Sequence, residues 1–218
     1  MLREAFTSRS HEKEWGDITM KEQIIITIGR ESGSGGHAIA KKLADAMGID
    51  CYDKKRLVEG TAKISGLNRN YVKKLDEKPV GFPFSGRIGA FEESPESNVA
   101  RLTFDYIRQI AESGESCVIV GRCADSVLAG NPNVIRVFVV GDEEDKNRRL
   151  AGIQQISLEE ADEERKDTDR VRRAYHNFYS KTKWGDSRAY DLIVNSSRLG
   201  IAGTAEFIKG FAEAFRER

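Results

Sequence analysis

The chain has 218 residues and a formal net charge of zero, from 35 basic and 35 acidic side chains. That balance argues against bulk attraction to nucleic acid or an anionic membrane, and neither a membrane-span-length apolar run nor an apolar N-terminal signal core is present. The expectation is therefore a cytoplasmic protein without nucleic-acid or membrane partners, long enough for one α/β unit with a generous core; monomer and homo-oligomer stay equally open.

Residues 1–19 carry charges with no sustained periodicity and are read as an N-terminal extension, disordered or preceding a natural start at Met20; a short surface helix from Glu4 to Trp15 is the alternative. Residues 20–218 read as one domain. A first strand, Ile24–Ile28, runs into a glycine-rich turn and a helix beginning with Ala38-Ile39-Ala40. A short strand at Asp50–Asp53 follows, then helices at Lys54–Lys63 and Asn68–Glu77. The stretch from Lys78 to Pro95 holds three of the four prolines and reads as a loop. A helix over Ser97–Ser113 places Val99, Leu102, Tyr106 and Ile110 on one face. Cys117–Val120 and Val134–Val140 lack alternation, as expected of strands covered on both faces. Helices are expected at Glu143–Gln155 and from Leu158, the latter opened by Ser157 and Glu160 in capping-box spacing. A last strand at Asp191–Asn195 precedes a terminal helix. The pattern specifies an α/β fold, a doubly wound, parallel five-stranded sheet flanked by helices. The three cysteines, Cys51, Cys117 and Cys123, have no metal-ligand spacing and read as reduced thiols.

Three segments carry chemistry. The turn Gly29-Arg30-Glu31-Ser32-Gly33-Ser34-Gly35-Gly36-His37 lets backbone N–H groups converge on an anion at a helix start. The pattern G-x-x-x-x-G-K-[ST] puts a lysine and a hydroxyl at its end, whereas this chain has Gly36 and His37 there. A dinucleotide fingerprint fits less well, because only Asp53 stands near the place of its ribose-binding acid. Second, Gly121-Arg122-Cys123-Ala124-Asp125 follows a parallel strand, where a guanidinium can overhang a ligand crevice; a surface arginine is the plain alternative. Third, the ionic run Glu164–Arg173 places Arg165, Asp169 and Arg172 on one helix face. With no apolar stripe to anchor it, the segment reads as a mobile lid rather than a solvated surface helix.

In this order, Arg30–Gly36, Val118–Asp125 and the charged lid resemble the cytidylate kinase-like branch of the P-loop nucleoside monophosphate kinases. The resemblance covers most of residues 23–211 and implies an acceptor-binding insertion over about 54–113 and a lid over about 157–186. It implies a phosphotransferase that uses ATP with Mg2+ and moves the γ-phosphoryl to a small nucleotide, CMP or dCMP favoured. Ser32, Gly33, Ser34, Gly35, Gly36 and His37 would hold the donor phosphates. Arg122 and Arg101 would hold the acceptor, Arg165 and Asp169 would contribute to its site, and Arg165, Arg170 and Arg172 would arrive with the lid. Asp53, Asp125 or Asp169 would organise magnesium's water shell, and no metal ligand is assigned. Cys123 stands where bacterial cytidylate kinases carry an aspartate. Arg30, the only basic side chain in the turn, is the expected replacement for the lysine. The alternatives are a nucleotide-binding regulatory module with impaired transfer and a P-loop kinase for another small metabolite.

Overall fold

The computed structural model describes residues 23–76 and 94–217. The central strand, β1 (Ile25–Arg30), forms because its isoleucines have a place on both sides. Ile26 and Ile28 join one apolar cluster while Ile25 joins another on the opposite face. Burial on both faces explains why no alternation is visible in the sequence. Four more strands complete a wholly parallel sheet: β2 (Asp50–Tyr52), β3 (Cys117–Val120), β4 (Val134–Val140) and β5 (Leu192–Asn195). Their spatial order is β2-β3-β1-β4-β5, with Ile28 opposite both Val120 and Val137. The winding reverses at β1, so its carboxyl end opens into the crevice between β3 and β4 where ligands bind in such sheets.

The helices are α1 (Gly36–Met47), α2 (Lys54–Ser65), α3 (Arg69–Leu75), α4 (Pro95–Glu112), α5 (Ala124–Val127), α6 (Glu143–Gln154), α7 (Leu158–Tyr179) and α8 (Ser196–Arg216). One sheet face is covered by Ile39 and Leu43 of α1 with Ile208 and Ala212 of α8. The other is covered by Leu57 of α2 with Ile107 and Ile110 of α4. α8 breaks at Gly200, whose φ of 66° and ψ of 177° leave the helical region. No described helix is long and apolar enough to cross a membrane. The expected extension over 1–19 lies outside the described residues, as does most of the expected loop over 78–95; Ser94 and Pro95 instead cap and open α4.

Two expectations change. The buried side of α4 holds Val99, Ala100, Thr103, Phe104, Ile107, Ile110 and Ala111, while Leu102 and Tyr106 lie at its margin. α4 serves two neighbours: Ile107 meets the sheet, and Ala100 and Phe104 meet Tyr175 of α7. The second change concerns α7, which is anchored rather than polar all round. Tyr175 packs with Ala100, Phe104 and Cys123, and the Tyr179 ring meets Phe104 edge-on at 5.2 Å between centroids. Ala161, Arg165 and Asp169 are also buried. The aromatic residues that hold α7 come after the charged run, so a window on that run misses them.

The capping box at the start of α7 is complete: Glu160 N–H donates to Ser157 Oγ and Ser157 N–H to the Glu160 carboxylate. Ser157→Ala is expected to cost about 1 kcal/mol, seen as a melting temperature lower by about 2–4 °C in a calorimetric scan.

Candidate active site

The turn between β1 and α1 is held from outside. Arg149 of α6 donates to the Gly33 carbonyl at 2.5 Å, and Ser196 Oγ donates to the Ser34 carbonyl at 2.6 Å. In a trans peptide the N–H points opposite to its carbonyl, so tying the Ser34 carbonyl outward turns the Gly35 N–H inward. Gly33 has a φ of 76°, and a Cβ there would lie 2.5 Å from the Lys146 carbonyl oxygen, so α6 approaches as closely as only glycine permits. Lys146 Nζ, almost wholly buried, meets Glu31 Oε2 at 2.7 Å. Within the turn, Ser32 N–H donates to Asp169 Oδ1 at 2.7 Å, which seats α7 directly on the loop. α1 begins at Gly36 without a side-chain cap or an acid in its first turn. Its leading N–H groups therefore have no side-chain acceptor and carry the positive end of the helix dipole.

The missing lysine has a steric explanation. A Cβ on Gly36 would lie 2.6 Å from Arg30 Cβ, because the Arg30 stem crosses the space a side chain at 36 would need. The Arg30 guanidinium continues to Gly121, where an added Cβ would collide with it. One arginine thus spans from the glycine turn to the second motif.

That motif is conformationally costly. Gly121, Arg122 and Cys123 have φ of 73°, 57° and 54°, three successive left-handed residues of which two carry side chains. Such geometry costs roughly 1–2 kcal/mol for each non-glycine residue and persists where the surroundings impose it. It drives Arg122 fully inside, where its Nε and an Nη bind the two oxygens of Asp76 at 2.6 and 2.5 Å. Asp76 ends α3, and Lys54 Nζ lies 3.7 Å from it.

Arg30, Arg122, Asp125 and Arg172 line one cleft with Tyr190 and His176. Asp125 and His176 are paired at 2.9 Å, and Arg172 lies 3.7 Å from Asp169. The other residues singled out in the sequence fall elsewhere. Arg165 is buried in the α6–α7 seam, bonded to Asn147 and Asp162, because its long stem folds toward α6. Arg170, one residue past the buried Asp169, points to solvent and pairs with Asp167. Arg101 is half exposed on α4, bonded to Asn98 and near Asp105. Asp53 caps α2 through the Arg56 N–H, with His37 Nε2 3.8 Å from its other oxygen. Among the described residues no three acidic, histidine or cysteine side chains converge as metal ligands. Burial pushes the Cys51 thiol up to about 11 and the Cys117 thiol to about 12, so both stay protonated and inert.

Asp76, Lys146, Arg149, His176 and Ser196 were absent from the sequence reading. Each acts across a long sequence separation, and only the rarity of His176, one of three histidines, set any of them apart.

A parallel sheet in this order with a phosphate turn after its first strand is the P-loop kinase fold. The fold recurs in the crystal structure of a shikimate kinase from Bacteroides thetaiotaomicron, 17% identical, with a TM-score of 0.54 over 87% of this chain and 98% of that one. An uncharacterized protein from Eubacterium ventriosum is nearer, 37% identical with a TM-score of 0.71 over 88% of this chain and 99% of its own. The model of the cytidylate kinase-like family matches residues 25–198, and the chain belongs to that family. A cytidylate kinase from Methanothrix thermoacetophila is 26% identical over 181 residues, 83% of this chain and 93% of that protein. The chain is an ATP-dependent phosphotransferase.

Burial pushes the Asp169 carboxyl above its ordinary range, against the pull of the Ser32 N–H and the Arg172 charge. The folded state therefore holds this proton more tightly than the unfolded one. Ionising Asp169 costs stability at neutral pH, and the cost fades as pH falls toward ~4. Asp169→Asn keeps an acceptor for Ser32 and removes the charge. It is expected to melt above the wild type at pH 7, with the gap closing in acid, while phosphotransfer falls.

Proposed function

We propose that the chain transfers the γ-phosphoryl of ATP to a nucleoside monophosphate, with CMP or dCMP the favoured acceptor. The observation that carries this reading is the Arg30 stem lying across Gly36 with its guanidinium in the cleft. Arg30 would thereby supply the cradle's cation by a different route from the usual lysine. The same observation disfavours an impaired regulatory module, whose loop would need no such replacement.

The cradle suits a polyphosphate: Ser196 turns the Gly35 amide inward, and the leading amides of α1 meet neither a side-chain cap nor a first-turn acid. Those amides and Arg30 would hold the β- and γ-phosphates. Magnesium neutralises charge between donor phosphates when bound, and with no described trio of ligands it would be held through phosphate and water. Residues 54–113 would form the acceptor side and 157–186 the cover. Arg122, fixed by Asp76, would face the acceptor, and Arg172 the transferring group. An acceptor phosphate oxygen forms the new bond to the γ-phosphorus as the bond from that phosphorus to the β–γ bridging oxygen breaks, and ADP leaves. Little covalent work falls to the protein, so positioning and charge neutralisation provide the acceleration. A second reading, another small metabolite as acceptor, draws on the Asp76–Arg122 pair, because a carboxylate already occupies one edge of that fork.

The test is a swap. Arg30→Ala is expected to lower kcat by about 10²–10³-fold in a coupled ADP-release assay over a panel of monophosphates. Gly36→Lys alone is also expected to impair, since its side chain meets Arg30. The double variant Arg30→Ala, Gly36→Lys clears that space, supplies the lysine, and is expected to recover part of the loss. Wild-type levels in Arg30→Ala would remove Arg30 from the reaction, and turnover with no monophosphate would refute the acceptor class.

A further inference from the structure

His176 is a titratable cleft side chain whose chemistry the transfer step leaves unused. It projects from α7, is 5% exposed, and places Nε2 2.9 Å from Asp125 Oδ2. Its other ring nitrogen, Nδ1, is buried and has no hydrogen-bond partner. Leaving a buried polar atom unpaired is costly, and such an atom in a cleft marks a place for a ligand. A carboxylate only accepts hydrogen bonds, so a neutral His176 gives its proton to Asp125 from Nε2, and Nδ1 keeps the lone pair. The cleft is otherwise rich in donors, from the guanidiniums of Arg30, Arg122 and Arg172. Cys123 beside them is a poor acceptor. Tyr190, held protonated by burial and by the Asp125 charge, adds a phenol.

The geometry points to His176 Nδ1 as the acceptor-specificity determinant, taking a hydrogen bond from an N–H or O–H of the incoming nucleotide, with Asp125 as the positioning residue that fixes the tautomer. This deepens the phosphotransfer reading and rests on it. Two groups of a cytidine monophosphate supply that chemistry: the exocyclic amine of the base and the ribose 2′-hydroxyl. UMP lacks the first and dCMP the second.

The experiment measures kcat/KM for CMP, dCMP and UMP in the wild type, in His176→Gln and in His176→Asn. Glutamine keeps a donor toward Asp125 but has no acceptor at the Nδ1 position. Asparagine keeps an oxygen near Nδ1 and gives up the Asp125 contact. His176→Gln is expected to lower one preference about tenfold, CMP over UMP if the amine is read or CMP over dCMP if the hydroxyl is. His176→Asn is expected to retain part of that preference. Loss of rate by one factor for all three nucleotides, or unchanged ratios, overturns the proposal while leaving the phosphotransfer reading intact. Wild-type failure on all three nucleotides takes down both. A readout independent of the variants' folding is the imidazole ¹⁵N spectrum of the wild type. The Nδ1 resonance is expected to be that of an unprotonated nitrogen and to move on nucleotide binding while Nε2 stays, and a protonated or unmoved Nδ1 overturns the proposal.

Discussion

Arg30 lying over Gly36 is the contact from which the rest of the site follows. A loop that must converge on phosphate needs a cation, and the commonest solution hangs it on the residue that opens the helix. In the proposed reading that cation would instead come from Arg30 at the end of β1, whose stem takes up the volume a side chain at 36 would occupy. The glycine at 36 is thus part of the same device as the arginine at 30. Because Arg30 reaches Gly121, it also joins the donor side to the left-handed turn that buries Arg122.

Around that contact the protein spends its polar side chains on holding backbone in place. Arg149 and Ser196 fix two carbonyls of the turn, Lys146 fixes Glu31, and Asp169 takes the Ser32 N–H. These groups come from α6, α7 and α8, so every described α-helix after β4 contributes to one short loop. The seat of α7 on the loop mixes apolar and ionic contacts. Tyr175 and Tyr179 anchor it against α4, while Asp169 is kept at an energetic cost. A buried acid with a raised pKa at a loop amide is a stability penalty consistent with use in function.

Local signals carried the architecture. The turn after β1, the capping box at Ser157 and the two unalternating strands at 117–120 and 134–140 each depend on neighbours in sequence, and all appear where the pattern places them. Arg30, Arg122, Asp125 and Arg172 were legible as cleft residues for the same reason, since each lies in or beside a recognisable motif or a single helical face. Arg165 was not, because one face of a helix 22 residues long passes two different neighbours, the α6 seam and then the cleft. Asp76, Lys146 and His176 were not, because their partners Arg122, Glu31 and Asp125 lie 46, 115 and 51 residues away. Gly36 was legible only as a departure, and its cause needed the path of the Arg30 stem.

A crystal structure with a non-hydrolysable ATP analogue and magnesium tests the central claim most directly. With the analogue's phosphates in the turn, the account requires an Arg30 guanidinium nitrogen within about 3 Å of a β- or γ-phosphate oxygen, the range of a charge-assisted hydrogen bond. Phosphates seated in the turn with Arg30 still directed at Gly121 alone, and another cation such as Lys146 in contact with them, would contradict it.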